Sequence, residues 1–319
     1  MRRTRDRLGH ICRGYRPPRD SWEVSMKVGI YLPQVGGVAS PENIKRVATA
    51  VEANGYDSLW TFDHVVLRPD QGSDYPYSED GRFLVPAEAP FLEPLTLMTF
   101  AAAVTERVEL GTAVLVAPMR APVLHAKLMA TLDHLAGGRL ILGAGVGWWK
   151  EEFEALSMPF DRRGARMDEY LQVLRDLWEN EIGSFEGEFY NTKGWYCRPQ
   201  PPRRVPILLG GNNPRQLRRA GRFADGYLAN PAMLDTLEDD WALVKSEAES
   251  HGRDPSQFTL AINRITILAE DTIYEAAETL NEMKARGFDQ AIANLHPAAD
   301  AEAVLAEFAG RHLQALQNG

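Results

Sequence analysis

Three short stretches carry residue types that can do chemistry. Asp63 and His64 stand side by side at the end of the apolar run "DSLWTFDH" (57 to 64). A histidine exchanges protons near neutral pH, and a neighbouring carboxylate can orient it or bind a hydroxyl or ring nitrogen. The plainer alternative is an Asp that caps local backbone amides beside a packed His. In "LLGGNNP" (208 to 214), Gly210 and Gly211 let a ligand approach the backbone closely, while Asn212 and Asn213 bring donors to a helix start that favours anions. A phosphate-bearing guest suits it; the alternative is a glycine turn capped by asparagine.

The third stretch, "LILGAGVG" (140 to 147), precedes Trp148 and Trp149. Its glycines at 143, 145 and 147 give G-x-G-x-G, and the dinucleotide fingerprint needs its third glycine where Trp148 stands. Asp168 is at the right distance for the acidic partner of that fingerprint, but it sits inside a helical pattern. Metal chemistry has little to work with: His125 and His134 lie nine apart, and no HxxH, HExxH or clustered Cys/His spacing occurs. There is no G-x-S-x-G elbow. Trp60, Tyr75, Tyr77, Trp148, Trp149, Trp195 and Tyr196 suggest a broad apolar pocket for an aromatic cofactor or substrate.

These residues need elements to position them, and from Met26 onward short apolar runs alternate with amphipathic helical patterns. Strands are expected at 27 to 33, 57 to 64, 108 to 116, 139 to 147, 205 to 210, 226 to 230, 258 to 268 and 290 to 295, each followed by a helix. The helix over 121 to 135 sets Leu124, Leu128, Leu132 and Leu135 on one side. Residues 66 to 90, rich in Pro, Asp, Gly and Tyr, are too long for a plain connection and read as a functional loop or partial lid. A hairpin-like insertion is expected over 184 to 204. Eight βα units with continuous apolar strands imply a parallel sheet closed into an α/β fold, the (β/α)8 TIM barrel with insertions after strands 2 and 4. A doubly wound open sheet is the runner-up. In such a barrel the chemistry lies beyond the C-terminal strand ends, where the three stretches fall.

The formal charge of -9 conceals an asymmetry. Residues 1 to 25 hold seven Arg against Asp6, Asp20 and Glu23, leaving 28 basic and 41 acidic residues in the body. So acidic a body is a poor partner for nucleic acid or an anionic membrane. The basic segment has no apolar core or cleavage pattern of a targeting peptide and reads as an upstream-start extension or disordered tail before a single domain over 26 to 319. Hydrophobic residues at 45% and charged ones at 25% are ordinary globular values, and no apolar run is long enough to span a bilayer. Two distant cysteines, Cys12 and Cys197, give no disulfide framework, so the reducing cytoplasm is the default.

Three ordered blocks are more specific: "DSLWTFDHVV", the run from "ELGTAVLVAPMR" through "GAGVGWWKEEFEALSMPFDRRGARMDEYLQVLRDLW", and "PILLGGNNPRQLRRAGRFADGYL". The chain resembles the luciferase-like monooxygenase superfamily from Met26 to its end, and most closely the branch of coenzyme F420-dependent oxidoreductases. The resemblance implies a flavin or deazaflavin at the barrel mouth, against a third-strand bulge with a non-prolyl cis peptide, here assigned to Ala113 and Val114. It implies that Gly145 and Gly147 approach the ring or ribityl chain with Glu151 in reach, that Gly210, Gly211 and Asn212 hold the phosphate, and that Asp63 and His64 flank the reactive ring, His64 managing the proton. Trp148 and Trp149 stand where some relatives carry a proton-supplying carboxylate, and so mark the substrate pocket. The implied function is hydride transfer between F420 and a small, apolar or aromatic organic substrate, without a metal and as a homodimer. The competing readings are an FMN-dependent monooxygenase using O2 and a separate reductase, and, more remotely, a non-catalytic flavin-binding paralogue.

Overall fold

The computed structural model describes residues 25–318, so the expected 1–25 extension lies, apart from Ser25, outside the described residues. The barrel strands are β1 (Lys27–Tyr31), β2 (Ser58–Thr61), β3 (Glu109–Thr112) continued by β4 (Leu115–Val116), β5 (Leu140–Gly145), β8 (Ile207–Gly210), β9 (Gly226–Ala229), β10 (Thr259–Leu268) and β11 (Gln290–Leu295). Each pairs in parallel with its neighbours, and β3 with β5 and β1 with β11 complete the circle. The closed eight-strand barrel is therefore the expected one. Helices α1 (Pro41–Ala53), α2 (Pro94–Ala102), α3 (Pro122–Leu135), α4 (Lys150–Ala155), α5 (Arg163–Glu179), α6 (Pro214–Phe223), α7 (Leu237–Ser250), α8 (Ile273–Ala285) and α9 (Ala301–Phe308) surround it. The antiparallel hairpin β6 (Gly183–Glu186) and β7 (Asn191–Trp195) follows α5, so the second insertion comes after the helix of the fourth unit. Among the described residues no helix is long and apolar enough to cross a membrane.

One side chain from each strand, with Ala113 from the junction of β3 and β4, fills the barrel: Tyr31, Trp60, Ala113, Ile141, Leu208, Leu228, Ala261 and Ile292. Trp60 is fully buried there because the flanking strands carry glycine. A Cβ on Gly29 or Gly111 would come within 2.4 Å of the indole, far inside any tolerable contact. Trp60 is thus a plug below the mouth, and the expectation that it lines the pocket fails. Trp195 and Tyr196 fail likewise, exposed on and beside β7.

The N-terminal rim is tied by a recurring device. Asp57, Asp225 and Asp289, each just before a strand, accept the N–H of Val28, Ile207 and Leu260 on the neighbouring strand at 2.7, 2.9 and 2.8 Å. Carboxylates spent on register at this end leave the opposite rim for chemistry.

Two expectations about elements are corrected. On α3, Leu132 is buried but Leu124, Leu128 and Leu135 are exposed, and the inner face is His125, Ala126, Met129 and Ala130. With apolar residues all round the helix, spacing alone cannot choose the inward face. The expected helix over 299 to 315 is interrupted after Phe308 by a wider turn, Ala309–Leu313.

Candidate active site

The second strand ends at Thr61, earlier than its apolar pattern, because a buried glutamine replaces the ladder. Gln34 accepts the Phe62 N–H at 2.9 Å and donates to the carbonyls of Phe62 and Leu92 at 2.6 Å each. The chain leaves the barrel wall there, and Asp63 and His64 enter the mouth. Each then takes a different partner.

The Asp63 carboxylate grips the Arg120 guanidinium through two bonds, at 2.5 and 2.8 Å, and accepts the Val116 N–H at 2.9 Å. Burial raises its carboxyl, and the guanidinium and amide oppose that shift. Asp63 therefore fixes the segment beyond the Ala113–Val114 peptide, which is cis as assigned. Although Asp63 borders the cavity, its oxygens are committed to protein donors.

His64 pairs with Glu152, Nδ1 to Oε2 at 2.8 Å, with only 7% and 2% of the two side chains exposed. The other Glu152 oxygen accepts the N–H of Val65 at 2.6 Å and of Val66 at 3.3 Å. A carboxylate accepts here, which favours a proton on Nδ1 and leaves Nε2 on the opposite edge of the ring. Rings of Phe83, Phe91, Trp148 and Trp149 surround it at centroid distances of 4.6, 5.7, 6.0 and 5.5 Å.

Most of the expected residues meet around a single cavity of about 570 Å³, bordered by Asp63, His64, Ala113, Val114, Gly145, Gly147, Trp148, Gly210, Gly211 and Asn212. Glu151 and Trp149 are not on its wall. Glu151 accepts Ser73 Oγ at 2.7 Å, and Trp149, 4% exposed, donates its indole N–H to the Gln71 carbonyl at 2.6 Å. Both hold the loop between β2 and α2, so Glu152 and not Glu151 is the carboxylate that reaches the site. Gln71 organises that loop further, bonding Ser73, Gly81 and Phe83. The loop thereby lays Tyr75 and Phe83 against Trp148, at 5.2 and 5.9 Å, as an aromatic lid.

Bare backbone flanks Val114 on both sides. A Cβ on Gly145 would meet Val114 Cγ2 at 2.9 Å, and one on Gly210 would meet the Leu228 carbonyl at 3.3 Å and Val114 Cγ1 at 3.4 Å. Val114 therefore stands between two positions without side chains on the cavity wall. Gly211, at φ +124, sits in a conformation that L side chains rarely adopt.

The start of α6 is less open to an anion than its sequence suggested. Asn213 Oδ1 accepts the N–H of Arg215 and Gln216, Gln216 Oε1 accepts that of Asn213, and Pro214 has none. An anion here would use Gly211, Asn212 and a cation absent from the sequence reading, Arg163. Arg163 borders the cavity, its Nε donating to the Gly147 carbonyl at 3.0 Å and its guanidinium lying over Phe160. These three residues border the same cavity and carry donors of the kind a phosphate takes. Among the described residues, no group of three or more His, Cys, Asp or Glu side chains is spaced to hold a metal ion.

Arg163 and Arg264, which border the cavity, and Glu152 and Arg120, which hold His64 and Asp63, are the site residues missed from sequence. Arg264 left a signal, a charge inside the apolar strand "AINRITIL". Glu152 left none, because α4 has only six residues and its periodicity cannot say which of two adjacent glutamates faces inward.

Comparisons with known proteins bear on the family and the fold. The chain is 34% identical over 220 residues to an F420-dependent glucose-6-phosphate dehydrogenase of Nakamurella multipartita, covering 67% of this chain and 60% of that protein. It is 29% identical over 205 residues to an FMNH2-dependent dimethylsulfone monooxygenase of Pseudomonas putida, covering 63% and 55%. The chain thus spans somewhat over half the length of each. Its fold superimposes on an F420-dependent secondary alcohol dehydrogenase solved with an F420-acetone adduct, with a TM-score of 0.74 at 18% identity over 92% of this chain and all of that one. The luciferase-like monooxygenase profile matches residues 26–318, nearly the whole described barrel, and the chain belongs to that family.

Proposed function

We propose that the protein is an oxidoreductase that moves a hydride between coenzyme F420 and a small organic substrate with an apolar or aromatic body. The observation that carries this reading is Val114 flanked by Gly145 and Gly210 on the wall of the same cavity as His64, which Glu152 holds from behind. When bound, the deazaflavin would supply two-electron hydride chemistry. The chain's own residues then have three tasks. Val114 and the glycines hold a planar ring, with Gly211, Asn212 and Arg163 taking a phosphate. Phe83, Tyr75 and Trp148 exclude water above His64. His64 Nε2 takes or gives the proton that accompanies hydride movement at the substrate carbon, while Glu152 holds the ring and its tautomer.

A second reading, reduced FMN with O2 in the same cavity and a separate reductase, is supported by the FMNH2-dependent relative. Titrating the apoprotein with each cofactor decides between them. Submicromolar binding of F420 with much weaker binding of FMN is expected; the reverse order overturns the choice. We further propose a cytoplasmic homodimer joined through Val123, Leu124 and Leu128 of α3 and Phe100 of α2, apolar side chains 41% to 60% exposed on two adjacent helices.

A further inference from the structure

Arg264 occupies a costly position. It adopts φ +54, a left-handed conformation that long side chains seldom take. The pairing of β10 with β11 breaks between Asn263 and Ile267, so the strand leaves its ladder where Arg264 joins the cavity wall. Its guanidinium lies over Phe62, 4.5 Å from the ring centroid, and 5.9 Å from that of Tyr31. Arg120, Arg175 and Arg219, also drawn into the protein, each hold a carboxylate. Among the described residues Arg264 has no carboxylate within ion-pair reach. Partly buried over Phe62 on the cavity wall, this guanidinium presents its planar fork to an anionic ligand.

The contact with Phe62 locates that anion. Arg163, Gly211 and Asn212 gather at β5 and β8, whereas Arg264 lies beyond β9, facing Phe62, two residues before His64. One cation therefore serves the phosphate side, and the other stands on the His64 side, where the substrate must react. We propose that Arg264 is the receptor for a substrate carboxylate, gripped by its planar fork, on an organic body that extends to the aromatic wall of Tyr75 and Trp148. The substrate class is an apolar organic acid. The anion seat does not depend on the cofactor, but assigning it to the substrate rests on the proposed function.

The test needs no turnover. Benzoate and its neutral isostere benzamide are titrated into the full chain, both cofactor-free and loaded, by tryptophan fluorescence. Benzoate should bind at least about tenfold more tightly than benzamide, as expected for a bidentate charged contact. Arg264→Asn removes the charge with a residue that tolerates positive φ, and should abolish this preference while cofactor affinity stays within about twofold. Arg264→Lys keeps the charge but not the fork and should retain a reduced preference. An unchanged preference in Arg264→Asn, with only a lowered melting temperature, would make Arg264 a packing residue over Phe62 and overturn the proposal. So would a tenfold loss of cofactor binding with benzoate unaffected, which gives Arg264 to the cofactor. Failure of the cofactor reading has its own signature: neither F420 nor FMN binds, yet the benzoate preference persists.

Discussion

Glu152→Gln replaces one oxygen by an amide nitrogen, and the surroundings dictate how the new side chain must sit. Val65 and Val66 both present N–H donors to Oε1, at 2.6 and 3.3 Å, so the glutamine oxygen stays there and its NH2 faces His64. That NH2 can only donate, whereas the wild-type oxygen 2.8 Å from Nδ1 only accepts. The imidazole proton should therefore move from Nδ1 to Nε2, leaving the lone pair on Nδ1. Losing a charge-assisted bond for a neutral one costs about 1 kcal/mol of stability, so the fold survives. Turnover should fall about 10²- to 10³-fold with KM and cofactor affinity nearly unchanged, the range of a lost general base. The direct assay is nitrogen NMR of histidine-labelled protein, with His64→Ala identifying the signal: Nδ1–H is expected in the wild type and Nε2–H in the variant. Because the pair acts as a unit, the double variant should be no slower than His64→Ala alone. An unchanged tautomer, or additive losses in the double variant, refutes the reasoning.

Two further outcomes follow from buried groups and exposed apolar ones. His125 is buried beside Arg120, and burial first, then that positive charge, pushes its imidazole down to about 3. A group depressed in the folded state contributes stability above its unfolded value, about 6.5, and loses it as the pH falls toward 3; the slope is about 1.4 kcal/mol per pH unit for one proton. Urea unfolding between pH 6.5 and 4.5 should show that slope, and His125→Gln should reduce it by one proton; an unaltered slope excludes His125. Leu128→Lys, on the exposed side of α3, should convert the proposed dimer into a monomer in size-exclusion chromatography with less than about 0.5 kcal/mol change in monomer stability. A wild-type chain that already elutes as a monomer would refute that face.

The alternation of apolar runs with helical patterns, read from sequence alone, was enough for the closed parallel barrel. The rule that barrel chemistry lies beyond strand C-termini then placed Asp63, His64, Gly145, Gly210 and Gly211 at one mouth. Those inferences work because burial of a strand and close approach at a glycine are local properties, written in residue type and spacing. Partner choice is not local. Glu152 reaches His64 across 88 positions, and the adjacent Glu151 is turned to Ser73 instead. Trp148 borders the cavity while Trp149 anchors a loop, although the two rings stack with their planes 5° apart. Leu124, Leu128 and Leu135 of α3 face outward because neighbouring helices, not the helix's own periodicity, choose its buried side. What sequence determined was which strand ends could carry chemistry; which of two neighbouring side chains carries it was settled only by the atoms that barrel closure brings within about 3 Å of each other.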